Sequence, residues 1–118
     1  MSYFPSFKYT PTLTNVTNIT SSTAYECFVL RNGKVFHVSG RVDVDLTGNG
    51  SYELGISLPV ASDFTDVGQC VGVGVGSSST TDVLYIKADT TNNRASLNGD
   101  DNDAGLHTHY FNFTYEII

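Results

Sequence analysis

From Phe36 to Leu46 the chain alternates with a strict period of two, and this constrains its fold more than any other feature. Phe36, Val38, Val42, Val44 and Leu46 share one face, with Gly40 between them, while His37, Ser39, Arg41, Asp43 and Asp45 share the other. Successive side chains of an extended chain point to opposite sides, so this pattern specifies a half-buried strand. Immediately upstream, Asn32-Gly33 separates the strand from the apolar-rich run 24–31. Asn and Gly both tolerate the positive φ that tight hairpin turns demand, so the two runs are expected to pair as a hairpin.

Further runs of the same kind follow at intervals of about ten residues. Strands are expected over residues 12–19, 24–31, 34–46, 52–58, 69–76, 82–88, 94–97 and 106–117. Gly48, Asn49 and Gly50, then Pro59, then 77–81, 90–93 and the acidic stretch 98–105 punctuate them. In the run 69–76, Val71, Val73 and Val75 alternate with Cys70, Gly72, Gly74 and Gly76. A glycine face admits another backbone closely, so Gly72, Gly74 and Gly76 are candidates for a subunit interface. The last run sets Phe111, Phe113, Tyr115 and Ile117 on one face. About eight strands with regular turn signals read as an antiparallel β-sandwich of jelly-roll type. Residues 12–118 would form this domain. Residues 1–11, bounded by Pro5 and Pro11 and carrying Tyr3, Phe4, Phe7 and Tyr9, read as an extended arm that docks on a neighbouring subunit or a larger assembly.

The composition agrees. Charged residues are only 15% of the 118 against 40% hydrophobic, so solvent-facing positions fall to Ser, Thr, Asn and Gly, which suit strands and turns rather than helices. A chain of this length fits one domain and buries roughly two-thirds of the surface that its unfolded form exposes. Net charge is −6, and Lys8, Arg31, Lys34, Arg41, Lys87 and Arg94 are scattered, so neither nucleic acid nor anionic membrane is an expected partner. No apolar run approaches ~18 residues, and the first residues lack a basic and hydrophobic leader pattern, so export by the usual signal route is not expected. Cys27 and Cys70 read as small buried thiols in preference to a bridge.

Few residues suggest chemistry. His107 and His109 flank Thr108 on one strand face, and two imidazoles are too few for a closed metal site within one copy. Three copies around an axis would supply six nitrogens, enough for octahedral iron or nickel. Asp100, Asp101 and Asp103 cluster in a Gly- and Asn-rich stretch, an oxygen set that calcium favours, although no EF-hand spacing is present and an ordinary turn explains it. Asp43 and Asp45 lie beside Arg41 on a polar strand face, which is no cleft for acid–base work. No serine sits in a nucleophile elbow, and the glycines at 72–76 precede no helix that would cradle phosphate. The sequence therefore predicts no enzyme.

Several segments in order carry a resemblance: Tyr9-Thr-Pro-Thr-Leu-Thr-Asn-Val-Thr-Asn-Ile-Thr20, Ala24-Tyr-Glu-Cys27, Val38-Ser-Gly-Arg-Val-Asp-Val-Asp45, Leu54-Gly-Ile-Ser-Leu-Pro-Val-Ala-Ser62 and Phe113-Thr-Tyr-Glu-Ile117. Over residues 9–118 the chain resembles a β-rich domain of tailed-bacteriophage virion proteins, often found at the C-terminus of tail fibres. The resemblance implies an exposed, commonly trimeric virion component with no enzymatic role, made in the host bacterial cytoplasm and displayed on the virion surface. Here Met1 opens almost directly onto the domain without a fibre shaft, which favours a small homotrimeric capsid decoration or head-fibre protein, bound through its arm to capsid or tail proteins. His107-Thr108-His109 stands where the family pattern would place apolar or neutral residues, which adds weight to a threefold metal or pH-sensitive contact. The alternative is a receptor-binding tip for host attachment, recognising cell-surface glycan through loops at 47–51, 77–81 and 98–105 with Tyr52 and Tyr110 as stacking surfaces.

Overall fold

The computed structural model describes residues 6–77, 83–101 and 103–118. Their backbone forms β1 (Ser6–Tyr9), β2 (Leu13–Thr17), β3 (Ile19–Ala24), β4 (Cys27–Asn32), β5 (Val35–Leu46), β6 (Gly50–Ile56), β7 (Cys70–Gly76), β8 (Val83–Asp89), β9 (Arg94–Asp101) and β10 (Gly105–Glu116). One short 3-10 turn, Val67–Gln69, precedes β7, and no α-helix occurs among the described residues. Every pairing is antiparallel.

The all-β antiparallel class is as the sequence predicts, but the architecture differs. The ten strands form one sheet in the order β1-β4-β5-β10-β7-β8-β9-β6-β2, with β3 also paired to β5, curled into a half-barrel rather than split into a sandwich of eight. β10 covers one edge of β5 over its whole length, from Glu116 opposite Val35 to Gly105 opposite Leu46. The other edge of β5 is shared: β4 pairs with residues 35–39 and β3 with residues 42–46. The curl brings distant strands into contact across the concave side. The Tyr52 ring of β6 stacks on His109 of β10 at 5.6 Å, although β7, β8 and β9 lie between those strands in the sheet. Tyr115 of β10 donates through its hydroxyl to the Val60 carbonyl at 2.7 Å and accepts from the Val60 amide at 3.1 Å. Tyr9 donates to the Ser57 carbonyl beyond β6, closing the same end.

Three differences in element boundaries have local causes. The run 12–19 is broken because Asn18 adopts a positive φ of 58° and its side chain bonds to both backbone groups of Gly48, so β2 and β3 diverge to different parts of the sheet. The hairpin of β4 and β5 turns through Gly33-Lys34 rather than Asn32-Gly33. Asn32 pairs with Val35, and Gly33 at φ 63° takes the first central position, where a II′ turn requires glycine. β9 runs on to Asp101 because Asn98, Gly99, Asp100 and Asp101 pair with Glu53, Tyr52, Ser51 and Gly50, so tertiary pairing overrides their weak strand preference. The arm expected over 1–11 is built into its own domain where described: β1 pairs with β4, and Tyr9 packs on the core. Tyr3 and Phe4 lie outside the described residues.

The core fills the concave side. β5 contributes Phe36, Val38, Val42 and Val44, β6 contributes Leu54 and Ile56, and β8 contributes Leu84 and Ile86, all buried. Each such side chain stabilises the fold by about 1.5–3 kcal/mol through its burial. β10 supplies a row of rings, with Phe111 and Phe113 stacked at 6.0 Å and Tyr115 stacked on Phe36 at 5.2 Å. This row decides which way β7 faces. Phe111 lies opposite Gly74, Phe113 opposite Gly72 and Tyr115 opposite Cys70. A Cβ on Gly72 would collide with the Asn112 carbonyl and with Phe113, and one on Gly74 with the Tyr110 carbonyl and Leu84. The close approach that these glycines permit is therefore intramolecular. They face the chain's own aromatic row, not another subunit.

Gly72→Ala is expected to destabilise the protein by about 1–3 kcal/mol through overpacking, while Val73→Thr on the opposite face stays within about 0.5 kcal/mol. Urea unfolding of both variants checks this, and equal losses would contradict the inward glycine face.

Candidate functional site

The histidine pair lies on β10 with the inward parity of Phe111 and Phe113. His107 is 5% and His109 0% exposed. Their rings are parallel, with centroids 6.1 Å apart. His107 Nε2 contacts the Asp103 carbonyl at 2.6 Å, so it donates there, and its Nδ1 faces Asp101 Oδ2 at 3.6 Å. His109 Nε2 lies 3.3 Å from the Tyr52 hydroxyl. Burial, helped by the neighbouring His107, pushes His109 down to about 4, which keeps the imidazole neutral near pH 7. Asp101 and Asp43 oppose this shift more weakly. These rings serve a buried polar row running from Asp101 to Tyr52. They face the core of their own chain, so this arrangement does not fit nitrogens converging on iron or nickel at an axis between three copies. Among the described residues no group of three or more His, Cys, Asp or Glu side chains is placed to hold a metal ion.

The acidic stretch is also dispersed. Asp100 and Asp101 are neighbours in β9 and point to opposite faces: Asp100 accepts from Ser51 Oγ, while Asp101 is buried and accepts from the Asp103 amide. Asp103 is exposed. The carboxylates so placed do not converge as a calcium site requires. Tyr52 is 2% exposed, so it offers no stacking face to a glycan, whereas Tyr110 is 49% exposed.

Asp43 sits on the convex face. It accepts from the Tyr25 hydroxyl and the Thr108 hydroxyl, each at 2.7 Å, and pairs with Arg41 at 3.4 Å. Arg41 also lies over the Tyr25 ring, 4.3 Å from its centroid. Partial burial acts to raise the Asp43 carboxyl, but the bonds from Tyr25, Thr108 and Arg41 outweigh it and hold the group below the usual carboxylate range. A carboxylate stabilised in this way is a poorer base. Cys27 and Cys70 are free and buried, and burial pushes their thiols up to about 11 and about 12.

With the glycines inside, Val71, Val73 and Val75 are outside, 59%, 59% and 55% exposed. Val73 lies opposite Tyr85 of β8, itself more than half exposed. Three strands away, across β10 and β5, Phe28 and Leu30 of β4 stand out from the same convex face, with Phe28 60% exposed. Between the two rows the outward residues of β5 and β10 are shorter and polar: Ser39 opposite Asn112 and His37 opposite Thr114. The result is a groove of about 600 Å³ walled by Phe28 and Leu30, with Lys8 at its rim. Apolar surface collected in this way marks an interaction face. The valine row was visible in the sequence, but its direction was not. Cys70 shares the parity of Gly72 and Gly74, and a buried thiol on that side was the available signal.

Comparison with protein families, with curated proteins and with solved structures finds no match to this chain.

Two expectations follow from the buried groups. The folded state holds His109 at about 4 against an ordinary 6.5, so between these values the unfolded chain binds more protons. Stability should therefore fall as pH drops from about 6.5 to about 4, by up to roughly 3 kcal/mol, and His109→Leu should flatten that slope. Unfolding free energies at pH 7 and pH 4.5 measure it, and an unchanged slope in the variant would count against the assignment. The native thiols should resist iodoacetamide at pH 8 and react only on unfolding. Modification of either cysteine in the folded protein would contradict its burial.

Proposed function

We propose that this chain is a non-enzymatic structural protein of a bacteriophage particle, a homotrimeric capsid decoration or head-fibre appendage displayed on the virion surface. The observation that carries the reading is the pair of exposed apolar rows on the convex face, Phe28 and Leu30 on β4 and Val71, Val73 and Val75 on β7 with Tyr85 beside them on β8. Such a face suits assembly. The resemblance to phage virion domains supplies the setting. β1, with Phe7 39% exposed beside the groove, is the part of the proposed docking arm that lies next to this surface.

Light scattering and native mass measurement of the free full-length protein test the reading. A trimer is expected, and Val73→Asp should yield monomers with unchanged far-UV circular dichroism. A wild-type chain that stays monomeric at high micromolar concentration would sink the assembly claim. Labelling on particles, at the capsid or at the tail end, separates a decoration protein from a receptor-binding tip.

A further inference from the structure

We infer that Asn32, at the tip of the hairpin of β4 and β5, is a site of spontaneous modification: its side chain closes on the Gly33 nitrogen, and the residue ends as aspartate or isoaspartate. The inference is independent of the assembly reading above.

The chemistry needs only water. The Gly33 backbone nitrogen attacks Asn32 Cγ, an N–Cγ bond forms, and the Cγ–Nδ2 bond breaks. Ammonia leaves with the proton that the Gly33 nitrogen gives up, and a cyclic succinimide remains. Water then opens the ring at either carbonyl. Opening at Cγ restores the backbone with aspartate at 32, whereas opening at the Asn32 carbonyl carbon routes the chain through Cγ as isoaspartate. Glycine after asparagine is the favourable case, because no Cβ obstructs its nitrogen and its backbone turns freely.

The chain offers three such steps, Asn32-Gly33, Asn49-Gly50 and Asn98-Gly99, and the fold separates them. Asn98 lies within β9, where its Nδ2 donates to the Ser96 carbonyl and to Ser96 Oγ, each at 3.0 Å, and Gly99 pairs with Tyr52. Ring closure there requires part of β9 to leave the sheet. Asn49 is exposed, but its Oδ1 accepts from the Ala104 amide at 3.0 Å, and Gly50 pairs with Asp101. Asn32 and Gly33 are both exposed, and nothing lies within 4 Å of the place that a Cβ on Gly33 would take. Asn32 pairs with Val35 across a two-residue turn, so the ladder bonds belong to those two residues and the Gly33 nitrogen stays outside them. Opening a hairpin tip costs less than opening the middle of a sheet. Either product adds one negative charge to the net −6. Isoaspartate also lengthens the backbone by one carbon, which disturbs the pairing with Val35 and the nearby bond from the Ile117 amide to the Lys34 carbonyl.

Peptide mapping by mass spectrometry tests the assignment on the full-length folded protein after ageing in mildly alkaline buffer. Aspartate and isoaspartate are expected at 32, forming roughly tenfold faster than at 49 or 98, because those two steps must first give up hydrogen bonds. Protein aged in urea should lose the difference, the three steps converting at similar rates. Equal conversion at all three steps in the folded protein, or faster conversion at Asn49 or Asn98, would overturn the assignment. So would protection of Asn32 to the extent seen at Asn98, or a preference for Asn32 that persists unchanged in urea and therefore owes nothing to the fold. As a second measurement, isoelectric focusing follows the acidic species that accumulates on ageing. In Asn32→Ser, with far-UV circular dichroism unchanged, this species should form roughly tenfold more slowly than in the wild type. Accumulation at the wild-type rate would overturn the inference.

Discussion

β5 and β10 pair over the full length of both strands, and the remaining pairings are arranged around that ladder. β10 also carries the inward row His107, His109, Phe111, Phe113 and Tyr115, so one strand sets the width of the core from end to end. Its close approach to β7 leaves no room for a Cβ at two inward positions of that neighbour. β7 meets the constraint with Gly72 and Gly74 opposite Phe113 and Phe111, a pairing in which the ring covers the space that glycine leaves. Glycine normally weakens a strand by backbone entropy, and here the aromatic contacts offset that cost.

The same arrangement shapes the outside. A strand that spends its inward positions on glycine has only its outward positions for β-branched residues, which are what hold it extended. Val71, Val73 and Val75 thus serve β7 locally, and their exposure follows from the aromatic row on the other side. On the neighbouring strands the reverse holds. β5 and β10 are fixed by their buried faces, so their outward positions are free to be small and polar, and the groove floor of Ser39 and Asn112 results. The valine row and the groove are two consequences of one packing decision in the core.

How much of this was legible in the sequence depends on whether the determinant was local. The strand 34–46, the hairpin before it and the aromatic parity of the last strand were readable, because period two and a Gly turn are properties of neighbouring residues. The break at Asn18 was not, since it depends on a bond to Gly48, far away in the chain. β9 reached Asp101 for the same reason, its acidic end being held by β6 rather than by its own preference. The curl that makes a half-barrel of an expected sandwich depends on contacts such as Tyr52 on His109 and Tyr115 with Val60. Of the candidate sites, the His107 and His109 parity was right, but parity alone does not say which face is buried. The same ambiguity made the glycines of β7, rather than the valines, the interface candidates.

The buried histidines show how the fold accommodates polarity where the aromatic row ends. Phenylalanine at 107 or 109 would continue the row, yet that end of the half-barrel must also receive Asp101, the Asp103 carbonyl and the Tyr52 hydroxyl, which need partners once buried. An imidazole is flat enough to stack in the row and still offers nitrogens to those groups. Ring packing and polar contact are thus combined in one buried row. His109 is fully buried, so it presents neither ring nitrogen at the surface of the protein. Exposed apolar residues are found instead on the convex face, in β4, β7 and β8.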